Sequence, residues 1–191
     1  MKMAFSAGLA SLLICGCSPA PSVPQSVQVY FSPHGGATEA VVDALNHATN
    51  SVYIQAYSFT SAPIAKALVE AYRRKVQVHA ILDSSQQTDK YSEADFLQYN
   101  EIPTLIDAQH AIAHNKIIVV DDYLVLTGSF NFTKAAEEKN AENLLVINDP
   151  SLAKRYLDNW RAHEAHSQGY EREQKSEAKR TKREKPPKVF Q

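Results

Sequence analysis

Two short apolar runs rich in β-branched residues, 117–120 and 123–127, are separated by nothing but Asp121-Asp122. Runs this close can bury their side chains together only by doubling back, so they read as an antiparallel hairpin turning at 121–122. The second turn position lacks the glycine that most often fills it. This hairpin anchors the reading of everything else, because residues just before and just after it must meet at its open end.

The rest of the chain alternates strand and helix patterns. A strand at 27–31 is followed by turn residues Pro33, Gly35 and Gly36. Thr38 can cap a helix over 39–48, with Val41, Val42 and Leu45 forming its apolar face. A strand at 51–59 precedes a helix with Pro63 in its first turn, and Ile64, Leu68 and Tyr72 line its buried side. A strand at 76–82 ends at Asp83, and a short helix at 93–99 leads to a strand at 104–106. After the hairpin come a polar turn or short helix at 133–140, a strand at 143–147 and a helix over 150–167. The fold class is α/β, a mixed β-sheet flanked by helices on both faces.

The chemistry gathers around the hairpin. Side chains alternate along a strand, so on a strand over 114–120 His114 and Lys116 share a face. An imidazole can attack phosphorus, and an ammonium is a natural partner for a phosphate oxygen. Ser129 and Asn131, just beyond Gly128 at the end of the next strand, add uncharged donors for charge developing on phosphorus. A lone His-x-Lys is usually an ordinary strand pair. Here it stands in register with Asp121, Gly128, Ser129 and Asn131, and the ordinary reading loses ground.

That set, H-x-K-x-x-x-x-D followed by G-S-x-N, resembles the HKD signature of the phospholipase D superfamily. The stretch 27–166 is similar to the Nuc-like, single-motif bacterial endonucleases of that superfamily. The Tyr57-Ser58-Phe59-Thr60 segment, the run 142–147 beginning at Glu142, and the closing helix with Trp160 carry the likeness. One departure is Arg73-Arg74-Lys75, where a glycine is expected between helix and strand. The resemblance implies a phosphodiesterase with His114 as nucleophile and Lys116, Ser129 and Asn131 on the phosphate. It also implies an acidic residue that hydrogen-bonds the histidine, and Glu142 stands at the matching position. Asp121 belongs to the signature, although at a hairpin turn a structural role is at least as well supported as a catalytic one. The signature occurs once, so a complete site requires a homodimer with a second histidine from another chain.

The expected substrate is DNA, with RNA as a second candidate. Phospholipid is the alternative, and a catalytically idle binding protein on the same fold is a third reading. No cofactor and no metal are expected. Both cysteines, Cys15 and Cys17, lie near the N-terminus, and His163 and His166 are the only histidines at a ligand-like spacing. On a polar helix, that pair reads as a solvated face. His110 lacks the neighbouring lysine and donors, so it is not counted as the second catalytic histidine.

The two ends differ in kind from the middle. Residues 1–22 read as a signal peptide, with Lys2 ahead of a short apolar stretch from Ala4 to Ile14. Cleavage near Ala20 would leave a periplasmic protein. Alternatively, Ile14-Cys15-Gly16-Cys17 approximates a lipobox and would tether the chain to a membrane through Cys17. Residues 23–168 form the catalytic domain, and 169–191 form a basic tail without a core. From Tyr170 on, eight Lys or Arg oppose four Asp or Glu, a local charge of +4.

Overall fold

A strand buried on both faces belongs at the centre of a sheet, and β2 (Ser51–Ala56) is such a strand, with five of its six residues buried. The computed structural model describes residues 26–171. In chain order they form β1 (Ser26–Ser32), α1 (Ala37–His47), β2, α2 (Ala62–Arg73), β3 (Gln77–Asp83), a 3-10 turn (Ser84–Gln87) and α3 (Ala94–Tyr99). There follow β4 (Thr104–Asp107), β5 (Lys116–Val120), β6 (Leu124–Gly128), α4 (Lys134–Glu138), β7 (Glu142–Asn148), α5 (Pro150–Glu164) and β8 (Gln168–Gly169). All eight strands share one sheet in the order β1-β7-β6-β5-β2-β3-β4-β8. The β2–β3 and β3–β4 pairs are parallel and the others antiparallel, so the sheet is mixed as expected.

Helices cover both faces. On one, Leu45 of α1 and Ile64 and Leu68 of α2 pack over Ile54, Ile118 and Leu126, with Phe59, Phe130 and Phe132 fully buried beside them. On the other, Ala153, Leu157 and Trp160 of α5 pack on Ile81, Ile117, Val119 and Val125. Trp160 is buried without losing its hydrogen bond, since its Nε1 donates to the Ile54 carbonyl at 3.1 Å. Truncating it to alanine would cost roughly 3–5 kcal/mol.

Several local expectations shift, each for a visible reason. The hairpin loop is three residues long, because Val120 pairs with Leu124. Tyr123 is drawn out of the ladder, where its carbonyl accepts the Asp149 amide at 2.9 Å. Asp121 and Asp122 adopt φ of 52° and 60°, left-handed values that aspartate tolerates better than most residues. Thr38 does not cap α1. The helix starts at Ala37 after Gly36 (φ 82°), and the Thr38 amide donates to the Glu137 carboxylate at 2.8 Å. Between α2 and β3, Lys75 itself takes the left-handed conformation, φ 74°, that a glycine would hold more easily.

The domain boundary also moves. β8 pairs with β4, and Tyr170 is buried, its hydroxyl donating to Asp95 at 2.8 Å. The fold therefore runs through Tyr170, two residues past the expected end. The leader, Cys17 and the tail from residue 172 onward lie outside the described residues. Among those described, no helix is long and apolar enough to cross a membrane.

His163 and His166 are a further correction. Neither is a freely solvated helix residue: His163 Nδ1 lies 2.7 Å from Asp107 Oδ2, and His166 Nε2 lies 3.3 Å from Asp107 Oδ1. The polar character of α5 hid this, because the partner comes from a strand more than fifty residues away.

Candidate active site

Three neighbouring strands end together at the open end of the hairpin, and their ends build one pocket. It is lined by His114, Lys116, Gly128, Ser129, Asn131 and Glu142. His114 immediately precedes β5, Gly128 closes β6, and Glu142 opens β7. Backbone pairing forces the meeting: Gly128 sits opposite Leu144, two residues from Glu142, and Lys116 sits one pair beyond the Ile117–Thr127 rung. Gly128 must be a glycine. A Cβ there would stand 2.2 Å from the Asn143 carbonyl oxygen, and its φ is 153°.

The segment carrying His114 is fastened on both sides. The Ala113 amide donates to the buried Asp83 carboxylate at 2.7 Å, and the Asn115 carbonyl accepts the Tyr57 amide at 2.8 Å. His114 itself is exposed, and β5 begins two residues later than the sequence pattern suggests. Its ring packs against Tyr57 with centroids 4.5 Å apart at 55°. Tyr57 is a site residue that the sequence reading did not single out. Tyr57 follows a strand of a parallel pair, and ligand sites gather at the carboxyl ends of such strands, but the pairing that marks it is visible only in the sheet.

Lys116 is buried, and its Nζ donates to the His114 carbonyl at 3.0 Å. Nζ also lies 5.2 Å from the centre of the Tyr57 ring, within cation–π range. Burial lowers the ammonium pKa from its ordinary value, and the charge of Glu142 opposes that shift. A desolvated cation at a pocket wall acts strongly on an entering anion, because little water screens it.

Ser129 and Asn131 are both on the wall. Ser129 Oγ accepts from the Asn143 amide at 3.0 Å and lies 3.4 Å from Asn143 Nδ2, so the residue after Glu142 orients it. Asn131 Oδ1 is buried and has no hydrogen-bond partner among the described residues. Glu142 reaches the pocket, but its hydrogen bond is with Asn140 Nδ2 at 3.3 Å. The direct bond to the His114 ring implied by the resemblance is not formed among the described residues.

Asp121 is separated from this group. It stands at the opposite end of β5 from Lys116, about 16 Å along the strand at roughly 3.3 Å per residue. There its carboxylate accepts four hydrogen bonds, from the Thr49 amide and hydroxyl and the Asn50 and Ser51 amides. The carboxylate ties the hairpin turn to the loop before β2, and that work is structural. His110 is likewise outside the pocket, its ring lying 3.1 Å from Asp107.

Comparison with known proteins agrees with this geometry. Residues 41–163 match the domain family described as "Cardiolipin synthase, PLD-like domain". The chain is 43% identical over 139 residues to a phospholipase D of Rickettsia bellii, covering 73% of this chain and 69% of that protein. The crystal structure of Nuc from Salmonella typhimurium, a phospholipase D family member, superposes with a TM-score of 0.73 at 43% identity. That match covers 76% of this chain and 97% of Nuc. NucT from Helicobacter pylori shares the fold, with a TM-score of 0.70 at 24% identity over 76% of this chain and 99% of its own. With the family match spanning more than half of the sequence and the signature residues gathered in one pocket, the chain belongs to the phospholipase D superfamily of phosphodiesterases.

Proposed function

We propose that this protein is an exported endonuclease that cleaves DNA, and RNA as a second substrate, through a phosphohistidine and without a metal in its chemistry. The observation that carries the reading is the set of residues lining the pocket: five polar or charged side chains and Gly128, with no aliphatic side chain among them. A phosphodiester flanked by sugars needs donors and a nucleophile, whereas a phospholipid also needs an apolar approach for its acyl chains. The sequence likeness to single-motif bacterial endonucleases points the same way.

Catalysis on this reading uses a homodimer with one composite site. His114 of one protomer attacks phosphorus, a P–N bond forms, and the P–O bond to the leaving oxygen breaks. The electron pair goes to that oxygen, which takes a proton from His114 of the partner subunit. Water then attacks phosphorus, the P–N bond breaks, and the partner's His114 takes the proton from water. Lys116, Ser129 and Asn131 hold the phosphoryl oxygens, the task a bound cation performs in other nucleases. Tyr57 packs on the reacting ring and restricts its orientation, and Glu142 balances the charge of Lys116.

Export is proposed from the leader at 1–22, with either a periplasmic product or a membrane tether through Cys17. A second reading, phospholipase D activity, is favoured by the Rickettsia relatives that bear that name. One experiment separates the readings: purified protein is offered supercoiled plasmid and phosphatidylcholine vesicles side by side, with His114→Ala as control. Plasmid nicking without choline release supports the nuclease. Choline release without nicking replaces it with the lipid enzyme, and neither activity returns the protein to an idle fold.

A further inference from the structure

Across the same edge of the sheet, three strand spacings or roughly 14 Å from the pocket, a second polar cluster has formed. Asp107 is the last residue of β4, and its side chain is wholly buried. His110 reaches it from the loop that leads to His114, His163 from the last turn of α5, and His166 from just beyond. Their rings form a nearly even triangle, with centroids 4.9, 5.3 and 5.3 Å apart. One ligand atom from each of the four residues lies within 4.8 Å of the other three.

We propose that Asp107, His110, His163 and His166 form a binding site for one divalent transition-metal ion, with Zn2+ the ion that suits the donor set. Three imidazoles and one carboxylate are nitrogen and oxygen donors of the kind tetrahedral zinc takes. Bond lengths of about 2.0–2.1 Å place tetrahedral donors ~3.3 Å apart. The nitrogen-to-carboxylate distances here are 2.7, 3.1 and 3.3 Å, divided between the two Asp107 oxygens, and the widest separation of ligand atoms, within 4.8 Å, must close to about 3.3 Å when an ion is bound. The Gln109 amide donates to Asp107 Oδ1 at 3.1 Å, the outer-shell bond that fixes a ligating carboxylate.

A cluster held by protons alone is the competing account, and His166 argues against it. Its Nε2 is buried, and its one polar neighbour is Asp107 Oδ1 at 3.3 Å, a contact within ion-pair reach but of marginal hydrogen-bond geometry. A buried ring nitrogen held only by one marginal contact costs stability that an ion at the centre of the group would restore. The site's consequence is mechanical. The loop between β4 and β5 holds both His110 and His114, so an ion would clamp that loop to the end of α5 while taking no part at phosphorus. The proposal does not depend on which phosphodiester the pocket cleaves.

The test uses the full chain, untagged, stripped with chelator and exchanged into chelator-free buffer. Co2+ is then titrated and followed by visible absorption, and Zn2+ is added to displace it. The expected result is one equivalent of Co2+ with the intense bands of a tetrahedral site, lost on adding Zn2+, and a Zn2+-dependent rise in Tm. His114→Ala should bind as wild type does, which separates this site from the pocket. His163→Ala and His166→Ala should abolish the bands. His110→Gln, an exposed loop change that leaves the core untouched, should weaken binding at least about tenfold. A folded wild-type chain that shows no tetrahedral cobalt spectrum overturns the proposal, and so does a His110→Gln protein with unchanged affinity.

Discussion

Replacing Asp121 by alanine asks whether the third residue of the signature serves chemistry or folding. Its carboxylate accepts four hydrogen bonds of 2.7 to 2.9 Å from residues 49–51. A hydrogen bond to a charged group contributes roughly 1.5–3 kcal/mol, less where water can substitute. Three of these bonds are at the surface and only the one from Ser51 is partly buried, so their loss sums to about 2 kcal/mol. Alanine must also hold φ 52°, which adds about 1 kcal/mol. The total of about 3 kcal/mol corresponds to a fall in Tm of roughly 6–12 °C for a domain of this size.

The pH dependence carries its own sign. Burial pushes the Asp121 carboxyl up, but the bonds from Ser51, Asn50 and Thr49 outweigh it and hold the pKa below the ordinary value. A carboxyl lowered in the folded state stabilises fully above its unfolded pKa near ~3.9, and that stabilisation is lost as pH falls through the folded value. The Tm gap between wild type and Asp121→Asn should therefore be widest near neutrality and close in the acid range below ~4. Thermal unfolding followed by circular dichroism measures the gap, and plasmid cleavage well below Tm measures activity per folded molecule. Activity should stay within about twofold of wild type. An Asp121→Ala protein with unchanged Tm and collapsed activity would refute the structural assignment.

His114→Ala should remove plasmid cleavage while leaving the circular dichroism spectrum intact, and Lys116→Ala should lower the rate severely; near wild-type cleavage by His114→Ala ends the mechanism. Cleavage should persist in excess EDTA at temperatures well below unfolding, because protein donors hold the phosphoryl oxygens; loss with chelator and rescue by magnesium would overturn that. Wild-type subunits mixed and exchanged with His114→Ala should give heterodimers of little activity, and light scattering that finds a fully active monomer would rule out the composite site. Lys75→Gly relieves a left-handed φ of 74° and should raise stability by about 0.5–1 kcal/mol, read as a higher urea midpoint.

The α/β alternation was legible because its periodicities are local: the 3.6-residue stripe of Ile64 and Leu68 and the apolar run 117–120 need no distant partner to be read. The meeting of His114, Lys116, Gly128, Ser129 and Asn131 was legible for a related reason, since a hairpin brings such spacings together, whereas Glu142 was placed there by the family resemblance. What escaped depends on long-range contact. Thr38 satisfies the capping pattern, yet Glu137, 99 residues later, takes its amide. Glu142 stands at the right spacing from His114, but its carboxylate accepts from Asn140, and nothing in the spacing reveals that competition. Tyr57 and the Asp107 cluster needed the strand order, because adjacency across β2, β3 and β4 is a property of the sheet. Asp121 was ambiguous from sequence because membership of a signature does not say which end of a strand a residue occupies.

A pocket that presents one imidazole per chain makes catalysis, on the composite-site reading, a second-order property of the protein. Where most chains are monomeric, halving their concentration leaves about a quarter of the activity. A diluted chain would thus fall silent without being degraded or inhibited, and holding chains on a surface would restore activity by crowding two copies into reach. The range over which such an enzyme works would then be set by how densely its chains are held together.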